Sequence, residues 1–217
     1  MIEIDKKIYF SFSVDKYFYL DSIQESINEI TKEEYCEIIF GSYNFNLYKL
    51  LGYAYCITPN KIIAAFYQQN DLKVFDKKGV LIEVKKDFFE GFTPYQIQLD
   101  DSTENLWIAT GAGQVVLCKN INTGATIFEL GIPYEEYSPL SFPEEINIVE
   151  NKLYIAEMGN RCVSILDLIT KKLTIYSKFN EPVWGFSKFL THEIIQLDSG
   201  VYYRRSNSKI DLHKITT

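Results

Sequence analysis

Residues 153–168 read LYIAEMGNRCVSILDL: an apolar run, a polar break centred on Gly159 and Asn160, and a second apolar run closed by an acid. That pattern predicts two antiparallel strands joined by a tight turn. The unit recurs as NLWIATGAGQVVLCKN at 105–120 and KIIAAFYQQNDLKVFDKKG at 61–79, and more weakly as KIYFSFSVDKYFYLD at 7–21 and EIIQLDSGVYYRRS at 193–206. With the second residue of each first run as marker, Tyr9, Ile63, Trp107, Tyr154 and Ile195 are separated by 54, 44, 47 and 41 positions. A period in this range points to propeller blades.

Each copy extends to four strands. A β-like segment led by proline precedes the hairpin in three copies: PYQIQL from Pro94, PEEINIV from Pro143 and PVWGFSKF from Pro182. Proline suits a strand entrance because it lacks the amide that a ladder needs. A fourth segment follows: VLIEVKK at 80, ATIFEL at 125, KLTIYSK at 172 and IDLHKI at 210. A blade has apolar faces that only neighbouring blades can cover, so the copies must close into a ring. The expected fold is all-β, a single small β-propeller of five four-stranded blades at 1–45, 46–93, 94–142, 143–181 and 182–217, with a short helical insertion in the first blade. At 217 residues and 47% hydrophobic content, one self-supporting domain is expected.

The stretch 143–167, PEEINIVENKLYIAEMGNRCVSILD, resembles a repeat of the NHL and regucalcin-like propellers, in which a proline-led strand precedes an LYVAD-like strand, a GN turn and a strand ending near an acid. Leu153, Tyr154, Ile155 and Ala156 match the strand, and Gly159 with Asn160 match the turn. Glu157 stands where that family usually has aspartate, and Arg161 follows Asn160 without the usual one-residue spacing. The resemblance implies a propeller, but unrelated functions share that fold.

Two segments depart from the repeat. In LDSIQESINEITKEEYCEI at 20–38, Ser22 with Glu25 can form a capping box, and Ile23, Ile27 and Ile30 recur at helical spacing. An amphipathic helix is therefore expected over 22–34, either as a lid on the blade or as a partner-docking face carrying Glu25, Glu29, Lys32 and Glu33. The second departure, GIPYEEYSPLSF at 131–142, connects the outermost strand of one copy to the innermost strand of the next. In a propeller that connection shares a rim with the turns between second and third strands, here 111–113, 158–161 and 198–200. Residues 131–150 hold five glutamates and no Lys or Arg.

The chemistry is sparse. Cys36, Cys56, Cys118 and Cys162 form no CxxC pair, so buried reduced thiols are expected rather than zinc ligands or disulfides. Only His192 and His213 are present, with no HExxH and no GxSxG. Gly111-Ala112-Gly113 lacks the later glycine of a dinucleotide fingerprint and reads as a turn. The regucalcin-like resemblance implies a divalent cation held in the channel mouth by a glutamate near an EGP motif, asparagines and an aspartate. No EGP occurs here, leaving Glu157, Asp198 and Asn160 as a thin donor set.

The net charge of −7 disfavours nucleic acid or an anionic membrane as partner and favours a basic protein. The charged N-terminal stretch lacks a signal-peptide apolar core, so a cytoplasmic location is expected. The functional expectation is a non-catalytic binding propeller without cofactor, an inhibitor or immunity protein for a basic partner such as a bacterial nuclease toxin. Its contact residues would be Tyr134, Glu135, Glu136, Tyr137, Glu157, Asn160, Arg161 and Trp184. A regucalcin-like metal-dependent hydrolase and a structural scaffold are the alternatives.

Overall fold

The computed structural model describes residues 2–13, 16–40, 54–58, 60–66, 69–76, 78–100, 102–206 and 212–215. Among the described residues, twenty strands form five four-stranded antiparallel sheets, each strung in chain order. The first contains β1 (Ile2–Ile4), β2 (Lys7–Ser13), β3 (Lys16–Asp21) and β4 (Ser26–Ile30). The second contains β5 (Ala54–Ile57), β6 (Lys61–Phe66), β7 (Asp71–Asp76) and β8 (Leu81–Lys85). The third contains β9 (Gln96–Asp100), β10 (Asn105–Ala109), β11 (Val115–Asn120) and β12 (Thr126–Gly131). The fourth contains β13 (Pro143–Val149), β14 (Lys152–Glu157), β15 (Cys162–Asp167) and β16 (Leu173–Lys178). The fifth contains β17 (Val183–Lys188), β18 (His192–Leu197), β19 (Gly200–Arg205) and β20 (His213–Lys214). The five markers all lie on second strands, and the chain is a five-bladed β-propeller.

Why second strands read as unbroken apolar runs follows from the cores. Side chains alternate across a strand, and both faces of β14 are covered. Leu153 and Ile155 join Trp107 and Val116 of the third blade, while Tyr154 and Ala156 join Phe186 and Ile195 of the fifth. In β6, Ile63 and Ala65 face the third blade and Ile62 and Ala64 the first. The ring closes in the same way: Ile8, Phe10, Phe18 and Leu20 of the first blade pack with Ile194, Val201 and Ile215 of the fifth.

The first strands meet around the axis, where their outer edges would leave amides without partners. Polar side chains of one inner strand take those amides of the next. Gln96 and Gln98 Oε1 accept from the Ile146 and Ile148 amides at 2.5 and 2.8 Å. One blade on, Glu145 accepts from the Phe186 amide and Asn147 Oδ1 accepts from the Lys188 amide at 2.8 Å. Gly185 leaves the room in which the Glu145 carboxylate lies.

The helix is shifted from its expected place. Residues 22–25 are a turn, 26–30 are the fourth strand of the first blade, and α1 occupies Lys32–Phe40, after that blade. The Asp21 carboxylate accepts from the Ile23 and Gln24 amides at 2.9 Å, and Glu25 has φ 54°, which closes a hairpin where helical spacing predicts a helix. The capping box belongs to Thr31 and Glu34: the Glu34 amide donates to Thr31 Oγ1 at 3.1 Å, and the Thr31 amide to Glu34 Oε2 at 2.8 Å. Tyr35 then sets its ring 4.8 Å from that of Tyr17, so α1 covers the first blade. The expected boundary between the first two blades, at 45–46, lies outside the described residues, as does the start of the segment expected at 210.

Candidate functional site: the loop rim

The connection 132–142 is fastened at both ends. At its start the Tyr134 amide donates to the Gly113 carbonyl at 3.2 Å, Gln114 Nε2 donates to the Glu135 carbonyl at 3.1 Å, and the Ser138 hydroxyl donates to the Gln114 carbonyl at 3.1 Å. At its end the Met158 and Gly159 amides donate to the Phe142 and Ser141 carbonyls at 3.0 and 3.1 Å. Leu140 is buried as a plug between the third and fourth blades. The loop therefore bridges the turns 111–114 and 158–161, on the rim where those turns emerge. Tyr134 and Phe142 have φ of 59° and 49°, conformations that bulky side chains rarely adopt. The surrounding bonds over-determine both, and the Tyr134 ring stacks on Phe92 at 6.2 Å with 6° between planes.

What the loop offers to solvent is aromatic and acidic: Tyr134 is 67% and Tyr137 88% exposed, with Glu135 and Glu136 exposed between them. Asn160 and Arg161 are exposed on the neighbouring turn, where Arg161 Nη1 donates to the Asn180 carbonyl at 3.3 Å. Trp184 lies on the same rim in the fifth blade, its Nε1 donating to Asp198 Oδ1.

Glu157 is elsewhere in character. It is 1% exposed, and its carboxylate accepts from the Ser141 amide at 3.1 Å, from Asn160 Nδ2 at 2.7 Å, and from the Ser164 hydroxyl. It ties the loop to the turn from beneath. A groove of about 330 Å³ opens beside it, lined also by Cys162, Leu173 and Lys178. Burial pushes the Cys162 and Cys118 thiols up to about 11, so both stay protonated at neutral pH and are poor nucleophiles.

Other titratable clusters serve the fold. Glu193 is fully buried and bonded to Arg204 Nε at 2.7 Å, Lys188 Nζ at 2.8 Å and the Tyr176 hydroxyl. His192 is buried at the seam between the fifth and first blades, its Nδ1 3.0 Å from Thr191 Oγ1. His213 is exposed on β20, beside the Tyr203 ring. Among the described residues, no group of three or more His, Cys, Asp or Glu is placed to hold a metal ion.

Two rim residues escape sequence reasoning. Tyr95 and Glu144 occupy, in the third and fourth blades, the place of Trp184 in the fifth. Their common signal is position: each of the three stands one or two residues after the proline that leads an inner strand.

Fold and rim together define a β-propeller with one face built up by a rigid, acidic-aromatic connection. A streptogramin B lyase structure superposes with a TM-score of 0.58 at 16% identity, covering 99% of this chain and 67% of that one. The computationally designed Ika4 protein does so with a TM-score of 0.51 at 15% identity, covering 70% of this chain and 89% of that one. At these identities the likeness shows the fold alone. No family model and no curated protein matches the sequence. No helix among the described residues is long and apolar enough to cross a membrane.

Proposed function

We propose that this propeller is a binding protein that uses its loop rim to grip a basic protein partner, without catalysis of its own. The observation that carries the reading is the connection 132–142: two outward tyrosines flank two exposed glutamates on a loop already fixed at both ends. Pre-ordering lowers the entropy lost on binding, rings supply buried area, and carboxylates steer a cationic partner. The net charge of −7 acts in the same direction at long range. The finer reading is a cytoplasmic inhibitor or immunity protein that occludes a basic toxin such as a nuclease domain. The NHL-like stretch at 143–167 supplies the blade under the rim, and Asn160, Arg161 and Trp184 extend the contact.

The test is affinity capture from the native host with wild-type protein and with the Glu135→Lys/Glu136→Lys variant as baits. The expected result is one basic protein retained by the wild type, with association slowed at low salt by the double reversal and dissociation sped by Tyr137→Ala. Equal capture by both baits overturns the reading. The hydrolase alternative predicts a metal requirement, whereas a binding rim predicts a melting temperature that EDTA and added calcium leave unchanged. A calcium-dependent rise would favour the hydrolase, because a ligand of the folded form must stabilise it.

A further inference from the structure

Nearly every carboxylate around the channel mouth is engaged. Glu157 holds the loop, Glu145 lies over Gly185, Asp198 takes the Trp184 indole, and Glu181 accepts from the Ser199 amide and hydroxyl at 2.7 Å each. Glu144 is the exception. It is half-buried and has no hydrogen bond or ion pair among the described residues. Withdrawing a carboxylate from water without a partner works against folding, and burial alone pushes this one up to about 7.

Its position is built by a bulge. In β13 the pairs Pro143 with Glu157 and Glu145 with Ala156 leave Glu144 without an opposite residue. The same irregularity in β17 leaves Trp184 between the pairs Val183 with Leu197 and Gly185 with Gln196. In the third blade Tyr95, whose amide donates to the Ala109 carbonyl at 2.8 Å, precedes the pair of Gln96 with Ala109. Three successive inner strands thus set Tyr, Glu and Trp at one level of the mouth. Tyr95 lies over Gly111 and is 50% exposed, and Trp184 is 41% exposed.

We propose that Glu144, at one level with Tyr95 and Trp184 of the neighbouring inner strands, is the receiving point for one organic cation, the guanidinium or ammonium of a side chain on the partner. The proposal rests on the rim reading and names the group that enters the mouth. A carboxylate supplies the charge, ring faces attract the same cation through their quadrupoles, and a half-buried position screens the pair less than the exposed loop glutamates are screened. A guanidinium suits the place best, since it is planar, stacks on rings and bonds a carboxylate with two N–H groups. Among the described residues, the charged groups on neighbouring elements include Glu145 beside it, Glu157 on β14, Glu181 and Asp198 in the fifth blade, and Arg161, whose Nη1 is given to Asn180. The third blade contributes the uncharged Tyr95 and Gln96.

The experiment titrates the intact protein with Nα-acetyl-arginine amide and Nα-acetyl-lysine amide, with the neutral Nα-acetyl-glutamine amide as control. Trp184 is the reporter, because the only other tryptophan, Trp107, is buried. A saturable fluorescence change with the cationic probes is expected at about pH 8, weakened roughly tenfold or more at about pH 5.5 as the carboxylate protonates. Glu144→Gln, which keeps the shape and removes the charge, should weaken binding about tenfold at the higher pH and remove the pH dependence. The Glu135→Lys/Glu136→Lys variant should bind these probes as the wild type does. Equal affinity in Glu144→Gln, or no saturable change with either cation, overturns the proposal. If the probes bind through Glu144 while the loop reversal leaves protein capture intact, the cation site stands and the rim reading falls. If capture is lost in the reversal while the probes ignore Glu144→Gln, the cation site alone falls.

Discussion

Glu157 and Glu144 sit at the same end of one blade in opposite chemistry. Glu157 is surrounded by donors, so Glu157→Ala strands the Ser141 amide and the Asn160 amide group and should cost about 2–4 kcal/mol, read as a lowered urea midpoint. Tyr137→Ala, at a side chain 88% exposed, should stay within about 0.5 kcal/mol. Glu144 gives a pH signature of its own. Its folded-state pKa of about 7 exceeds the ordinary 4.5, so between those values the folded chain holds a proton that the unfolded chain has released. That contribution to stability is fully present below the lower value and is lost as pH rises through the higher one. Wild type minus Glu144→Gln should therefore fall from about pH 5 to about pH 8 by a few degrees of melting temperature. Sequence spacing puts Glu157 at a strand end beside the turn 158–161, but strand alternation does not say how many donors a strand end will collect. The Ser141 amide comes from 16 positions away, and no local pattern announces it.

Among the elements, the hairpins between third and fourth strands show what was legible. Four third strands end in Asp21, Asp76, Asn120 and Asp167, and each of these side chains accepts from backbone amides two to four positions on. The acid that closes LYIAEMGNRCVSILDL at Asp167 is that turn, repeated. Applied to Asp21, the same signal forecasts a hairpin to β4 and outweighs the isoleucine spacing that suggests a helix at 22–34. The helix itself needs its cap: Thr31→Ala should cost about 1 kcal/mol, measured by thermal melting. Along the axis, Gln98→Leu or Asn147→Leu leaves an inner-strand amide without its acceptor and should cost about 1–2 kcal/mol each. These latches were beyond sequence reasoning because the partners lie 50 and 41 positions apart and only the closed ring brings them together.

At the scale of the whole molecule, five apolar interfaces close a ring in which each sheet is drawn from consecutive strands. The period of the markers was enough to expect this, since a face buried on both sides demands neighbours on both sides. Ile194→Ala, at a fully buried position between the fifth and first blades, should cost about 2–4 kcal/mol in denaturant titration. Among the described residues, polar contacts at that junction include Arg205 Nε with Glu25 Oε1 at 2.5 Å and His192 Nε2 3.6 Å from the same oxygen. Arg205 and Glu25 are 180 positions apart. In kinetic terms, the remaining sheets and interfaces can assemble from contacts between neighbours along the chain, with low loop-closure entropy. The junction between first and last blades alone must wait for the two ends of the ring to find each other. Substitutions there should therefore speed unfolding while leaving the folding rate nearly untouched, and mechanical or thermal opening of the ring should begin at Ile194 and Arg205.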